Sequence, residues 1–257
     1  MNLLDEINRF EGMLSEALQY KYDRSFTSLS SEQRGELIKI LPVKQMNIRD
    51  FYKLYLVNLT KGIYPKERLP KLIAQLFDIK IQLFCIMELD IGLYNHLIYD
   101  LGFDKNSIDK CPYIALRKIS LDQTMIVKSR ILWERIMNFI YCLETGKDLG
   151  DRKSKKTHFF QFIENTKWAY LEDYKQYIYR FDDKLRTSEV HEGSMLRKYF
   201  QQELLGTAHE LERINGLVNI VMNAIWINLL SIIQGKEPSS RFWTIEMEGL
   251  AKEPKLD

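Results

Sequence analysis

The chain has 257 residues, of which 46% are hydrophobic and 28% charged; 37 Lys and Arg stand against 35 Asp and Glu, for a net charge of +2. That length supports one large core or two modest ones. The near-neutral balance excludes bulk attraction to nucleic acid, so any basic site must be local. Twelve glycines and six prolines are too few for a turn-rich all-β fold and suit helices.

Apolar residues recur at three- and four-residue spacing almost throughout, which predicts an all-α chain. Leu3, Ile7, Phe10, Leu14 and Leu18 mark a first helix; Phe51, Leu54, Tyr55 and Leu59 mark another. Pro65 and Pro70 break the chain before a strongly apolar helix through Leu72, Leu76, Ile79 and Leu83. A neighbouring helix follows through Leu89, Leu93, Leu97 and Leu101, ending near Gly102. Residues 104–112 read as a connection. Ser120 or Asp122 can cap a long helix containing Ile126, Ile131, Trp133, Ile136 and Ile140, with Gly146 as terminator. Residues 147–156 read as a polar, basic loop, and Phe159, Phe160, Phe162 and Trp168 as a short aromatic helix. Ser194 can cap a helix through Leu204, and a last helix spans about 208–234. The expected organisation is an N-terminal helical region at 1–119 packed on the same core, a helical bundle at 120–235 and a tail at 236–257.

Several function classes lack their signatures. There is no Gly-rich phosphate loop, HExxH zinc pair, GxSxG elbow or cysteine–histidine cluster, so neither a metal nor a cofactor is expected. Cys85, Cys111 and Cys142 are scattered and form no CxxC, which fits a reducing, cytoplasmic location. The acidic, amphipathic N-terminus does not resemble a signal peptide. The most apolar stretch, 217–233, contains Asn219, Asn223 and Asn228 and falls short of the roughly 20 residues that cross a bilayer. No membrane partner is expected.

Chemistry concentrates at Arg186-Thr187-Ser188-Glu189-Val190-His191. An arginine holds an oxyanion and a histidine moves a proton near neutral pH. Residues five apart are turned by about 140° on a straight helix, so the pair needs a turn to converge. Thr187 and Ser188 suit such a turn, Gly193 permits another break, and Ser194 can cap a helix whose first amides would face an anion. Arg197 lies in that first turn and suits an anionic neighbour. Glu189 and Glu192 can equally neutralise Arg186 and His191 on a solvated surface. A second basic patch comprises Arg152, Lys153, Lys155 and Lys156, with His158, Trp168, Tyr170, Tyr174 and Tyr177 nearby. It reads either as phosphate steering with base stacking or as a solvated loop beside an aromatic core stripe.

The Arg186–His191 spacing resembles the RxxxxH motif of the HEPN superfamily, the higher eukaryote and prokaryote nucleotide-binding domains. Glu134, in Trp133-Glu134-Arg135 on the preceding long helix, resembles the acidic residue of that family, and the likeness runs from about Ser120 to Gln234. Family members often carry Asn, Asp or His directly after the arginine; here Thr187 stands there. The resemblance implies a HEPN-like bundle in the C-terminal half, with an N-terminal helical extension. It also implies a metal-independent endoribonuclease cleaving single-stranded RNA by 2′-hydroxyl attack. Arg186, His191 and Glu134 would be catalytic; Thr187, Ser188, Glu189, Arg197, Lys153, Lys155 and Lys156 would bind substrate. By the same resemblance the partners are RNA, a second copy in a homodimer and an antitoxin or regulatory protein, in a toxin or antiviral defence role. The alternative is a non-catalytic helical module binding RNA, a nucleotide or a protein partner.

Overall fold

The computed structural model describes residues 2–27, 29–95, 112–150, 154–175, 225–226 and 228–238. Among them the chain is all-α, with no strand. α1 (Leu3–Ser25) starts at Asn2, whose side-chain oxygen accepts from the Leu4 N–H, and Asp5 and Glu6 favour the positive end of the helix dipole. α2 (Ser31–Ile40) is absent from the periodicity reading. A capping box starts it: the Gln33 N–H donates to Ser30 Oγ at 3.2 Å and the Ser30 N–H to Gln33 Oε1 at 2.9 Å. The short α3 (Pro42–Gln45) and α4 (Ile48–Leu59) follow, α4 capped by Asn47.

A 3₁₀ turn at Lys66–Arg68 leads into α5 (Leu69–Asn95), and α6 (Pro112–Thr145) returns antiparallel to it. Two sequence expectations are corrected here. The two helices read on either side of residue 86 form one continuous α5 as far as Asn95. α6 begins at Pro112, upstream of Ser120 and Asp122, because proline's fixed φ and missing N–H suit a first helical position. The expected edge at 119/120 thus falls inside a helix.

The antiparallel register is written in side-chain-to-backbone bonds. Gln82 Nε2 donates to the Lys128 carbonyl at 2.9 Å, and Arg135 Nη1 to that of Asp78 at 2.8 Å. Arg68 Nη1 donates to the carbonyls of Leu143 and Glu144 at 3.0 and 3.1 Å, satisfying oxygens that a helix end leaves open. Gly146 ends α6 at φ +76°, its N–H donating to Cys142 O; a Cβ there would lie 2.7 Å from Arg68 Nε.

α7 (Lys155–Ile163), a 3₁₀ segment at Ala169–Tyr174 and a last helical stretch at 225–226 and 228–233 complete the description. Gly235, at φ +78°, closes that stretch. One apolar core joins side chains from α1 to residue 233. Phe10 stacks on Phe77 at 4.3 Å, and Phe51 meets Phe139 edge-on at 5.7 Å. Buried Asn58 on α4 donates to the carbonyls of Leu54 and Ile233, tying the last helical stretch to the N-terminal helices. Between Met46, Leu76, Phe139, Trp168 and Trp226 an apolar cavity of ≈ 10 Å³ remains, about the room of one water and too small for a ligand. Among the described residues no helix is long and apolar enough to cross a membrane.

A charge sits inside this core. Lys80 on α5 is 0% exposed, and its ammonium donates to both carboxylate oxygens of Glu11 on α1, at 2.6 and 2.5 Å. Glu11 Oε1 also accepts the Ile48 N–H, the first amide of α4, at 3.1 Å. Lys44 reaches Ser15 Oγ at 2.5 Å, and Ser15 in turn donates to the Glu11 carbonyl. A single carboxylate therefore joins α1, α4 and α5. Removing it strands a buried cation: Glu11→Ala is expected to cost about 3–5 kcal/mol in urea denaturation, while Glu11→Leu/Lys80→Met recovers most of that loss. Burial pulls the Lys80 ammonium from 10.5 down to about 8, against the opposing pull of Glu11. Between those values the unfolded chain binds more protons than the folded one, so stability rises with pH across that window. That rise should be smaller in Lys80→Met than in wild type when the two are compared by denaturation at the window's edges.

Candidate functional site

Arg186, Thr187, Ser188, Glu189, His191, Arg197 and Lys153 lie outside the described residues, as do Arg152 and Tyr177. The described part of the expected site is Glu134 on α6 with Lys155 and Lys156 on α7.

Glu134 is half-exposed and accepts from Arg130 Nη2 at 2.9 Å, one turn away on the same helix. Arg130 is only 9% exposed. Its guanidinium is paired with a carboxylate that still faces solvent on one side. The pairing leaves part of the Glu134 carboxylate open to solvent. Glu134 sits between two working stripes of α6. Trp133 meets Phe159 of α7 edge-on at 6.4 Å, whereas Arg135 reaches back to α5.

α7 starts at Lys155 and carries no acid along Lys155–Ile163. Phe159, Phe160 and Ile163 are fully buried, so one face of this short helix is committed to the core. A second face, adjoining the first, carries Lys155, His158 and Phe162 at helical spacing, while Lys156 falls on the side of Phe159, Phe160 and Ile163. Tyr141 of α6 packs on this second face, its ring centroid 5.7 Å from His158 and 4.9 Å from Phe162. All three rings are partly exposed. The sequence reading named Phe162 only as part of the helix pattern and missed Tyr141, which joins the group from another helix. The available signal was the four-residue spacing of His158 and Phe162 beside two lysines.

The aromatic residues expected to flank the lysines behave differently. Trp168 is fully buried, and its indole N–H donates to Glu144 Oε1 at 2.9 Å; it is a core residue that anchors the end of α6. Tyr170 is partly buried and packs against the core, and burial drives its phenol well above its ordinary range, with Asn228 opposing. Of the two readings of this stripe, core packing holds for Trp168 and Tyr170.

A polar cluster closes the far end of α6. Asp148 accepts from Lys71 at 2.6 Å, from Asn138 at 3.2 Å and from Gln75 at 3.4 Å, and the Lys71 hydrogen bond holds its carboxyl below the ordinary range. The same bond raises Lys71. Asn138 also takes the Leu149 N–H at 2.8 Å, which pins buried Leu149 to the helix. Adjacent Cys142 is buried and desolvation pushes its thiol up, so it packs as a small apolar group. These groups bond to one another and fasten a loop. Among the described residues, no group of three or more His, Cys, Asp or Glu side chains could hold a metal ion.

If Trp168 is core, Trp168→Ala should cost about 3–5 kcal/mol by chemical denaturation, and Trp168→Phe distinctly less. A stability change below about 1 kcal/mol for Trp168→Ala would contradict its placement. Comparison of the chain with models of known protein families, with curated proteins and with solved structures gives no match.

Proposed function

We propose that this chain is a metal-independent endoribonuclease of the HEPN type, acting on single-stranded RNA. The observation that carries the reading is the Arg186–His191 spacing within an all-α chain. Glu134, paired with Arg130 and half-open to solvent on α6, supports it as the acidic residue of the resemblance. Lys155 and Lys156 support it as local cations in a chain of otherwise balanced charge.

In the proposed reaction His191 takes the proton from a ribose 2′-hydroxyl as that oxygen attacks the adjacent phosphorus. The bond to the 5′-oxygen breaks, the leaving oxygen regains a proton, and a 2′,3′-cyclic phosphate forms. Arg186 stabilises the extra negative charge on the pentacoordinate phosphorus. Glu134 orients Arg186 or tunes His191, while Thr187, Ser188, Glu189, Arg197 and Lys153 position the strand. A homodimer, an antitoxin or regulatory partner, a cytoplasmic location and a role in growth arrest or antiviral defence follow from the same resemblance. Thr187, in place of the Asn, Asp or His usual after the arginine, favours a second reading: a non-catalytic module that binds RNA, a nucleotide or a protein partner.

Purified protein is expected to cleave single-stranded RNA in EDTA and to leave the matching DNA intact. His191→Ala and Arg186→Ala should each lose at least about 100-fold in rate. Equal cleavage by wild type and both variants would refute the ribonuclease; RNA binding without cleavage would establish the second reading.

A further inference from the structure

We propose that the groove between α1 and α5 is a self-complementary docking surface whose partner is a second copy of this chain. The inference does not depend on the ribonuclease reading and uses a surface outside residues 120–235. The groove has a fixed floor: Phe10 on α1 stacks on Phe77 on α5 at 4.3 Å, and both rings pack against the core. Beside that floor stand two apolar side chains open to solvent, Met13 at 64% exposed and Ile81 at 44%. Met13 follows Phe10 by three residues and Ile81 follows Phe77 by four, so each lies one turn from the stack on its own helix.

The charges on either side select the partner. A helix turns about 100° per residue, so Met13 lies between Phe10 and Arg9 around α1, and Ile81 lies between Phe77 and Asp78 around α5. Arg9 and Asp78 are therefore opposite rims of one groove, and each adjoins a stacked phenylalanine in sequence, which sets both level with the floor. Both are exposed, and neither forms an ion pair among the described residues. A two-fold axis running along the groove lays the α1 rim of one copy on the α5 rim of the other. Arg9 of each copy then meets the partner's Asp78, and Met13 packs beside the partner's Ile81. An axis across the groove would set Arg9 against the partner's Arg9, which like-charge repulsion disfavours. An anionic membrane favours cations on both rims, and Asp78 opposes that.

The test is analytical ultracentrifugation of the full-length protein from about 1 to 200 µM, where wild type is expected to form a dimer. Met13→Glu should weaken association about tenfold or more, because it buries a carboxylate against an apolar neighbour. Arg9→Glu and Asp78→Arg should each weaken it by about the same factor, through like charges brought face to face. Mixing those two variants should restore a dimer, since every rim contact between them again joins opposite charges. All three positions are exposed, so urea midpoints close to wild type are expected and separate lost docking from misfolding. A wild type that stays monomeric at the highest concentration would overturn the proposal. So would a dimer unaffected by Met13→Glu, or a charge-reversed pair that fails to recover on mixing. Because oligomeric state is read without RNA, none of these outcomes bears on the ribonuclease reading.

Discussion

The described helices are arranged around the need to cover α5. Its buried side chains, Leu72, Ile73, Leu76, Ile79, Lys80, Leu83 and Ile86, span more of the helix surface than a single neighbour can cover. α6 takes one flank along its length; α1 and α4 take another. The cation at Lys80 makes the second contact specific. An apolar stripe accepts many registers of a covering helix, but a desolvated ammonium accepts only the one that brings it a carboxylate. Glu11 meets that requirement and, through the Ile48 amide, sets where α4 begins.

Helix content was largely legible because it depends on spacing a few residues apart. α1 and α4 follow from their apolar periodicity, and the ends at Gly146 and Gly235 are glycines at positive φ, as expected for helix terminators. What escaped depended on other kinds of signal. α2 is weakly amphipathic and is announced by its capping box instead. The continuity of α5 was hidden because periodicity alone does not distinguish one long helix from two in line. Lys80 was visible as a charge inside an apolar run, but its partner lies 69 residues away, and no local pattern reports such a pairing.

The candidate site shows the same division. Glu134 could be placed on the long helix from sequence, yet its tie to Arg130, which sets its direction, is a matter of burial. Trp168 and Phe162 look alike in a string of aromatic residues; only packing separates the first, at 0% exposed, from the second, partly buried beside Tyr141. A sequence identifies the ring but not its surroundings.

The grip of Arg68 on the last carbonyls of α6, against the bare face of Gly146, lies at the end of the α5–α6 pair opposite its chain connection. In most helical hairpins the linking loop helps to hold the two helices in step. Here the alignment is also fastened where the helices are not joined. A methyl group at Gly146 would meet the Arg68 side chain and strain that distant clasp, so the phase of two long helices is sensitive to one missing carbon atom.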